Sequence, residues 1–167
     1  LTTPYFGQKV MALAYNYKSL IGDQETFDEP LVFFKSPSGV VPHGGEIKYP
    51  NFSDNVWIEA ELTIVIGKEA SHVSIDQADD FILGYTCGND VTAENILQRD
   101  WHLARAKGLD TFCPLGPYLV KGIDTADLKI ESFINGRQTQ SSRTSDRVLN
   151  DRESVALAST YFSLKPG

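Results

Sequence analysis

Cysteine is scarce in this chain. Cys87 and Cys113 are its two cysteines in 167 residues, far apart and in no CxxC pair. That pattern excludes a disulfide scaffold. Both read as small buried hydrophobes of a reducing compartment, which makes the cytoplasm the expected location. Positive charge is also in short supply. Fifteen Lys and Arg stand against 22 Asp and Glu, for a formal net charge of −7, and no basic run or stripe occurs. A nucleic-acid partner is thereby disfavoured. No apolar stretch reaches the roughly 18–20 residues that cross a bilayer, so no membrane-spanning helix is expected. The opening LTTPYFGQKV lacks a basic region followed by an apolar run and does not read as a secretory signal. Leu1 is not Met, and the expectation is that the true N-terminus is missing. Repeats, low-complexity tracts and dividing linkers are absent as well. What is present, with 41% hydrophobic residues, suits one globular domain over 1–167.

Strand signals dominate. Strand-like segments at 8–17, 29–39, 57–66, 82–87, 116–122 and 128–142 are broken by Gly, Pro and Asn, the second of them at Pro37 and Gly39. Gly44-Gly45 reads as a tight turn, and Asn135-Gly136 as a hairpin turn. Three helices are expected. One opens after Ser74 as N-cap, with Asp76 in its first turn. A second covers 92–108, with Ile96, Leu97, Trp101 and Ala104 at helical spacing and Gly108 as C-cap. The third covers 150–164, with Asn150 and Glu153 resembling a capping box. Scattered helices without regular βαβ alternation predict an α+β, mostly β fold with a rolled or barrel-like sheet.

The stretch WIEAELTIVIGK poses the chemical question. In a strand, Glu59 and Glu61 share one face, while Ile58, Ala60, Leu62, Ile64 and Ile66 form an apolar row on the other. Adjacent like charges repel unless something neutralises them. Exposed strand glutamates often simply face water, but a divalent cation also meets the need, and Mg²⁺, Mn²⁺ or Ca²⁺ prefers oxygen ligands. Asp90, at the end of the next expected strand, supplies a third carboxylate where sites are commonly built. Lys107 lies at the end of the helix that follows. Its simplest role is to favour a helix C-terminus.

The blocks NYKSL, EPLVFFKSPS, EAELTIVIGK, ILGYTCGNDVTAEN, AKGLDTFCPLGPYLV, NGRQTQSSRTSD and SLKPG follow one another in this order. Together they resemble the fumarylacetoacetate hydrolase family over residues 8–167. The resemblance implies a mixed β-roll with flanking helices, assembled as a homodimer. It implies Glu59, Glu61 and Asp90 as ligands of Mg²⁺, Mn²⁺ or Ca²⁺, and Lys107 beside the metal and the substrate oxygen. Thr111 matches a threonine near that lysine, and Lys35 and Tyr17 fall in blocks bordering the substrate pocket. Substrates would be 2-oxo or β-diketo acids and their enols, as met in aromatic catabolism. Such an acid can chelate a metal through its carboxylate and neighbouring carbonyl. The ion then stabilises the enolate as a Lewis acid, and Lys107 adds a second fixed positive charge.

The chain departs from the pattern N-Y-x-x-H-x-x-E, whose His and Glu activate water on a mobile lid in hydrolytic and decarboxylating members. Leu20 stands in place of the His and Asp23 in place of the Glu. His43, His72 and His102 read as surface residues. Glu94 occupies a place that is often arginine. Gly167 precedes the family's T-G-T-P-x-G segment, so a single catalytic domain lacking that segment is expected. Three functions stay open: a metal-dependent isomerase or lyase on 2-oxo and enol acids, a C–C hydrolase of acylpyruvate type, and a member without catalysis that binds or supports a partner.

Overall fold

The computed structural model describes residues 9–21, 30–94 and 100–167. Strand outweighs helix, as expected. The strands are β1 (Val10–Ala14), β2 (Leu31–Lys35), β3 (Val40–Pro42), β4 (Val56–Trp57), β5 (Ala60–Ile66), β6 (Ile82–Asn89), β7 (Thr92–Ala93), β8 (Cys113–Leu115), β9 (Lys129–Ile134) and β10 (Arg137–Arg143). The helices are α1 (Lys18–Ile21), α2 (Ala104–Lys107) and α3 (Asp151–Tyr161). A four-stranded mixed sheet runs in the order β3-β8-β6-β5, with β3 parallel to β8 and the other pairs antiparallel. Three two-stranded antiparallel ladders, β1-β2, β4-β7 and β9-β10, surround it.

Local signals that carry their own stereochemistry hold. Asn135 and Gly136 both take positive φ, 52° and 79°, and join β9 to β10, as the side-chain-poor turn requires. At α3 the Asn150 side chain accepts from Glu153 N at 3.1 Å, and Glu153 returns a bond to Asn150 N at 2.8 Å. Two orphan amides of the first turn are thus satisfied.

Other expectations are corrected. The expected strand 57–66 is divided. Trp57 belongs to the β4-β7 ladder, Ile58 and Glu59 lie between strands, and β5 begins at Ala60. The helix after Ser74 is a 3₁₀ segment, Ile75–Phe81, without a side-chain cap bond from Ser74. Instead of a strand over 116–122 there is β8 just before it and a single bridge from Val120 to Tyr85. Of the helix expected over 92–108, the described residues show α2 at its end, whereas Thr92 and Ala93 at its start pair with β4. Trp101, assigned to its buried face, is 85% exposed. Ile96 and Leu97 lie outside the described residues. The third helix ends at Tyr161, three residues early. Cys87 is exposed, whereas Cys113 is buried as expected.

Two apolar clusters hold these pieces. The larger contains Ala70, Val73, Ala78, Val155, Ala158 and Leu164, with Ile64 and Ile66 of β5 packed against it. It clamps α3 to the chemically plain end of β5. The smaller contains Val91, Ala93 and Phe112, with Val56 and Leu109 against it. Val91 is fully buried there, and strand alternation turns its neighbours Asp90 and Thr92 the other way. That small core therefore fixes the backbone from which the site is built.

Candidate active site

Asp90 follows directly on β6, and its amide donates to Glu59 O at 2.9 Å. This bond carries the β5-β6 ladder one step further and sets the two acidic residues side by side. Asn89 Oδ1 accepts from Glu59 N at 3.2 Å and pins the break between β4 and β5. The break re-aims Glu59, so that its carboxylate meets Thr92 on β7. Thr92 Oγ1 donates to Glu59 Oε2 at 2.7 Å.

Two lysines reach this acidic group. Lys107, the last residue of α2, places Nζ 2.6 Å from Glu59 Oε2, 2.6 Å from Asp90 Oδ2 and 2.9 Å from Thr92 Oγ1. An ammonium has three N–H donors, and here all three are engaged. The same Nζ lies 4.9 Å from the centroid of the Phe33 ring. Lys35, at the end of β2, is only 3% exposed and bonds Asp90 Oδ1 at 2.5 Å and Val91 O at 2.9 Å. Its ammonium braces Asp90 rather than standing free toward a ligand. Burial pulls the Lys35 pKa below its ordinary value despite Asp90. Burial pulls on Lys107 too, but Asp90 and Glu59 outweigh it and the net shift is upward. Lys107 is therefore held as a cation.

Glu61 has the opposite problem. Burial, then the charges of Asp90 and Glu59, push its carboxyl up to about 8, and Lys107 alone among the named influences pulls the other way. Tyr17, paired through its backbone with Arg147, has its phenol raised to about 12 by burial and then by Glu61. It stays a protonated donor. Glu59, Glu61, Asp90, Lys35, Lys107 and Tyr17 line one cavity of about 680 Å³.

The structure thus gathers six of the seven residues singled out from sequence. Thr111 stands apart: it does not line the cavity, and its hydroxyl accepts from Lys48 N at 2.8 Å. Its positive φ of 69° turns the chain there. Thr92 was missed. The signal available was its place two residues after Asp90 on an extended segment, hence on the same face. Leu20 lines the cavity and is 61% exposed, while Asp23 lies outside the described residues. Neither His43, His72 nor His102 lines the cavity.

Among the described residues no cluster of three or more His, Cys, Asp or Glu is arranged to hold a metal ion. The Lys107 ammonium lies between Glu59 and Asp90 instead. The donor chemistry still suits a hard cation. It offers oxygen ligands only, and three carboxylates against two ammonium groups leave one formal negative charge. Burial first, and the charges of Asp90 and Glu59 second, are what raise the Glu61 carboxyl.

Comparison with known proteins bears on what such a site does. A crystal structure of 5-carboxymethyl-2-hydroxymuconate delta-isomerase from Mycobacterium smegmatis superposes with a TM-score of 0.92 at 37% identity, covering 100% of this chain and 67% of that one. The mitochondrial oxaloacetate tautomerase fahd2 of Xenopus laevis is 35% identical over 96% of this chain and 52% of its own. Fumarylpyruvate hydrolase from Pseudomonas aeruginosa, solved with Mn²⁺ and pyruvate, gives a TM-score of 0.83 at 26% identity, covering 99% of this chain and 79% of that one. The chain spans about two thirds of the isomerase and about half of the tautomerase. The family model for the fumarylacetoacetate hydrolase C-terminal region matches residues 9–167. With that match and these relatives, the chain belongs to the fumarylacetoacetate hydrolase family.

Proposed function

We propose that this chain carries the active site of a divalent-metal-dependent isomerase or tautomerase of 2-oxo and enol acids. One observation favours this over C–C hydrolysis: the described cavity wall holds a buried ammonium among carboxylates but no imidazole. Enolisation needs a positive charge at the carbonyl oxygen. Hydrolysis needs, in addition, a base that activates water, and Leu20 cannot be one.

Glu59, Glu61 and Asp90 are the residues that would hold Mg²⁺, Mn²⁺ or Ca²⁺. When bound, such an ion supplies Lewis-acid stabilisation of an enolate. Lys107 donates to the oxygen on which negative charge develops, exchanging one of its three present acceptors for it. Lys35 holds Asp90 in place. Tyr17, kept protonated, offers a further donor to the cavity. Family relatives include an isomerase, a tautomerase and a hydrolase, so the reaction type rests on the residues present in this cavity. We place the protein in the cytoplasm as a homodimer.

Enol–keto conversion of oxaloacetate, followed in the ultraviolet with and without Mg²⁺ or Mn²⁺, tests the proposal. Acylpyruvate cleavage is measured in parallel. Metal-dependent tautomerisation with little cleavage is the expected result. Cleavage at the rate of tautomerisation would make it a hydrolase, and no turnover with either substrate would leave a binding role.

A further inference from the structure

We propose that Asp100 is a positioning residue for Lys107: its buried carboxylate supplies the N-terminal cap that α2 lacks and so fixes the ammonium among its acceptors. The inference rests on the role given to Lys107 above. A helix of four residues has almost no stability of its own. Its leading amides have no partner within the helix and need one outside it. The N-cap position is held by Leu103, with a left-handed φ of 58° and no side-chain cap bond. Leucine cannot cap.

Asp100, three residues earlier, does so instead. It is 6% exposed. Its carboxylate accepts from Arg105 N at 3.2 Å (Oδ1) and 3.0 Å (Oδ2), and from Ala106 N at 2.6 Å (Oδ2). Its carbonyl accepts from Leu103 N at 2.9 Å, and Leu103 O in turn accepts from Lys107 N at 2.9 Å. The carboxylate thus holds the two amides that precede Lys107, and the carbonyl reaches the Lys107 amide through Leu103. The ion pair with Arg105 Nε is long, 3.8 Å, and that side chain is half exposed, so the backbone bonds carry the effect. The demand at the other end is strict, because Lys107 Nζ meets Glu59, Asp90 and Thr92 within 2.6–2.9 Å. Asp100 is not among the residues that line the cavity.

A displacement of about 1 Å at a reacting group can cost about 10²-fold in rate. Asp100→Ala should therefore lower kcat by about 10²-fold and move KM by less than about threefold. Asp100→Asn, which keeps one carbonyl acceptor, should recover about tenfold of that loss. The decisive readout is the double variant. If Asp100 acts through Lys107, Asp100→Ala added to Lys107→Met costs no further activity. Losses that multiply would overturn the proposal, as would an unchanged kcat in Asp100→Ala. Should the alanine variant not fold, Asp100→Asn carries the same comparisons.

A second measurement does not depend on turnover. The ¹⁵N ammonium resonance of Lys107, assigned by its loss in Lys107→Met, should be sharp in the unmodified protein because three acceptors hold it. It should broaden or shift in Asp100→Asn, together with faster hydrogen exchange at the amides of Arg105 and Ala106. An unchanged resonance would refute the role of Asp100. An unmodified protein inactive on every 2-oxo acid would refute the proposed function, and the resonance would still decide the question of Asp100.

Discussion

Replacing Lys107 by Met removes the ammonium, with its place over the Phe33 ring, and keeps most of the apolar stem. Two consequences of opposite sign follow. For catalysis, losing a fixed charge at a developing oxyanion costs about 10²–10³ in kcat. For metal binding, the formal charge of the five-residue cluster, counted with Glu61 ionised as a metal ligand, falls from −1 to −2, and no ammonium stands between Glu59 and Asp90. Divalent cations should bind more tightly to the variant that turns over more slowly. The stability cost can be bounded as well. Removing one partner of a buried ion pair costs about 3–5 kcal/mol. Here Asp90 retains Lys35 at 2.5 Å, and Glu59 retains the Thr92 hydroxyl at 2.7 Å with its side chain 31% exposed. The low end applies, about 3 kcal/mol, or about 6–12 °C in Tm for a chain of this length. Saturating Mn²⁺ should restore part of that loss. Calorimetric Mn²⁺ titration, thermal unfolding with and without the ion, and oxaloacetate tautomerisation make up the assay. Weaker Mn²⁺ binding by Lys107→Met, or a variant as active as the unmodified protein, would refute the reasoning.

Glu61 gives a pH signature in the metal-free protein. Its carboxyl is raised from 4.5 to about 8, so the folded chain holds a proton that the unfolded chain has released. Its contribution to stability declines as pH rises through that window. Urea midpoints should fall less steeply in Glu61→Gln, and parallel profiles would contradict the shift. Leu20→His combined with Asp23→Glu should raise acylpyruvate cleavage from a low baseline, by up to the 10²–10⁴-fold that a general base contributes. Unchanged product formation, measured by chromatography, would count against a missing dyad as the barrier. Asn150→Ala removes half of the capping box and should cost about 1 kcal/mol, a Tm loss of about 2–4 °C. A shift below 1 °C in a thermal melt would show that α3 is held by packing alone.

What could be read from sequence was what short-range stereochemistry specifies. The Asn135-Gly136 turn and the Asn150–Glu153 box are complete within a few residues, and both are found as expected. The place of Asp90 at the end of the strand after the Glu59 and Glu61 stretch was legible as well. The features that escaped depend on distant partners. Helical spacing misled at the start of 92–108, because pairing with Val56 and Trp57 draws Thr92 and Ala93 into a strand. Trp101 then projects outward. Thr92 is uninformative alone and gains its meaning only from Glu59, 33 residues earlier, and Lys107, 15 later. Lys35 lay in the right block, but nothing in LVFFK foretells that its ammonium braces Asp90 across the fold. Thr111 lay close to Lys107 in sequence, yet its left-handed backbone carries the hydroxyl to Lys48.

Proton exchange at carbon is the most direct test of the central claim. A short 2-oxo acid is placed in D₂O with the protein and Mg²⁺, and loss of the proton next to the carbonyl is followed by NMR. Metal-assisted enolisation by the Glu59, Glu61, Asp90 and Lys107 cluster predicts rapid exchange. It also predicts that exchange drops to the background rate with a chelator, in Glu59→Gln and in Lys107→Met. Exchange that is equally fast without metal, or in the folded Glu59→Gln and Lys107→Met variants, would contradict it.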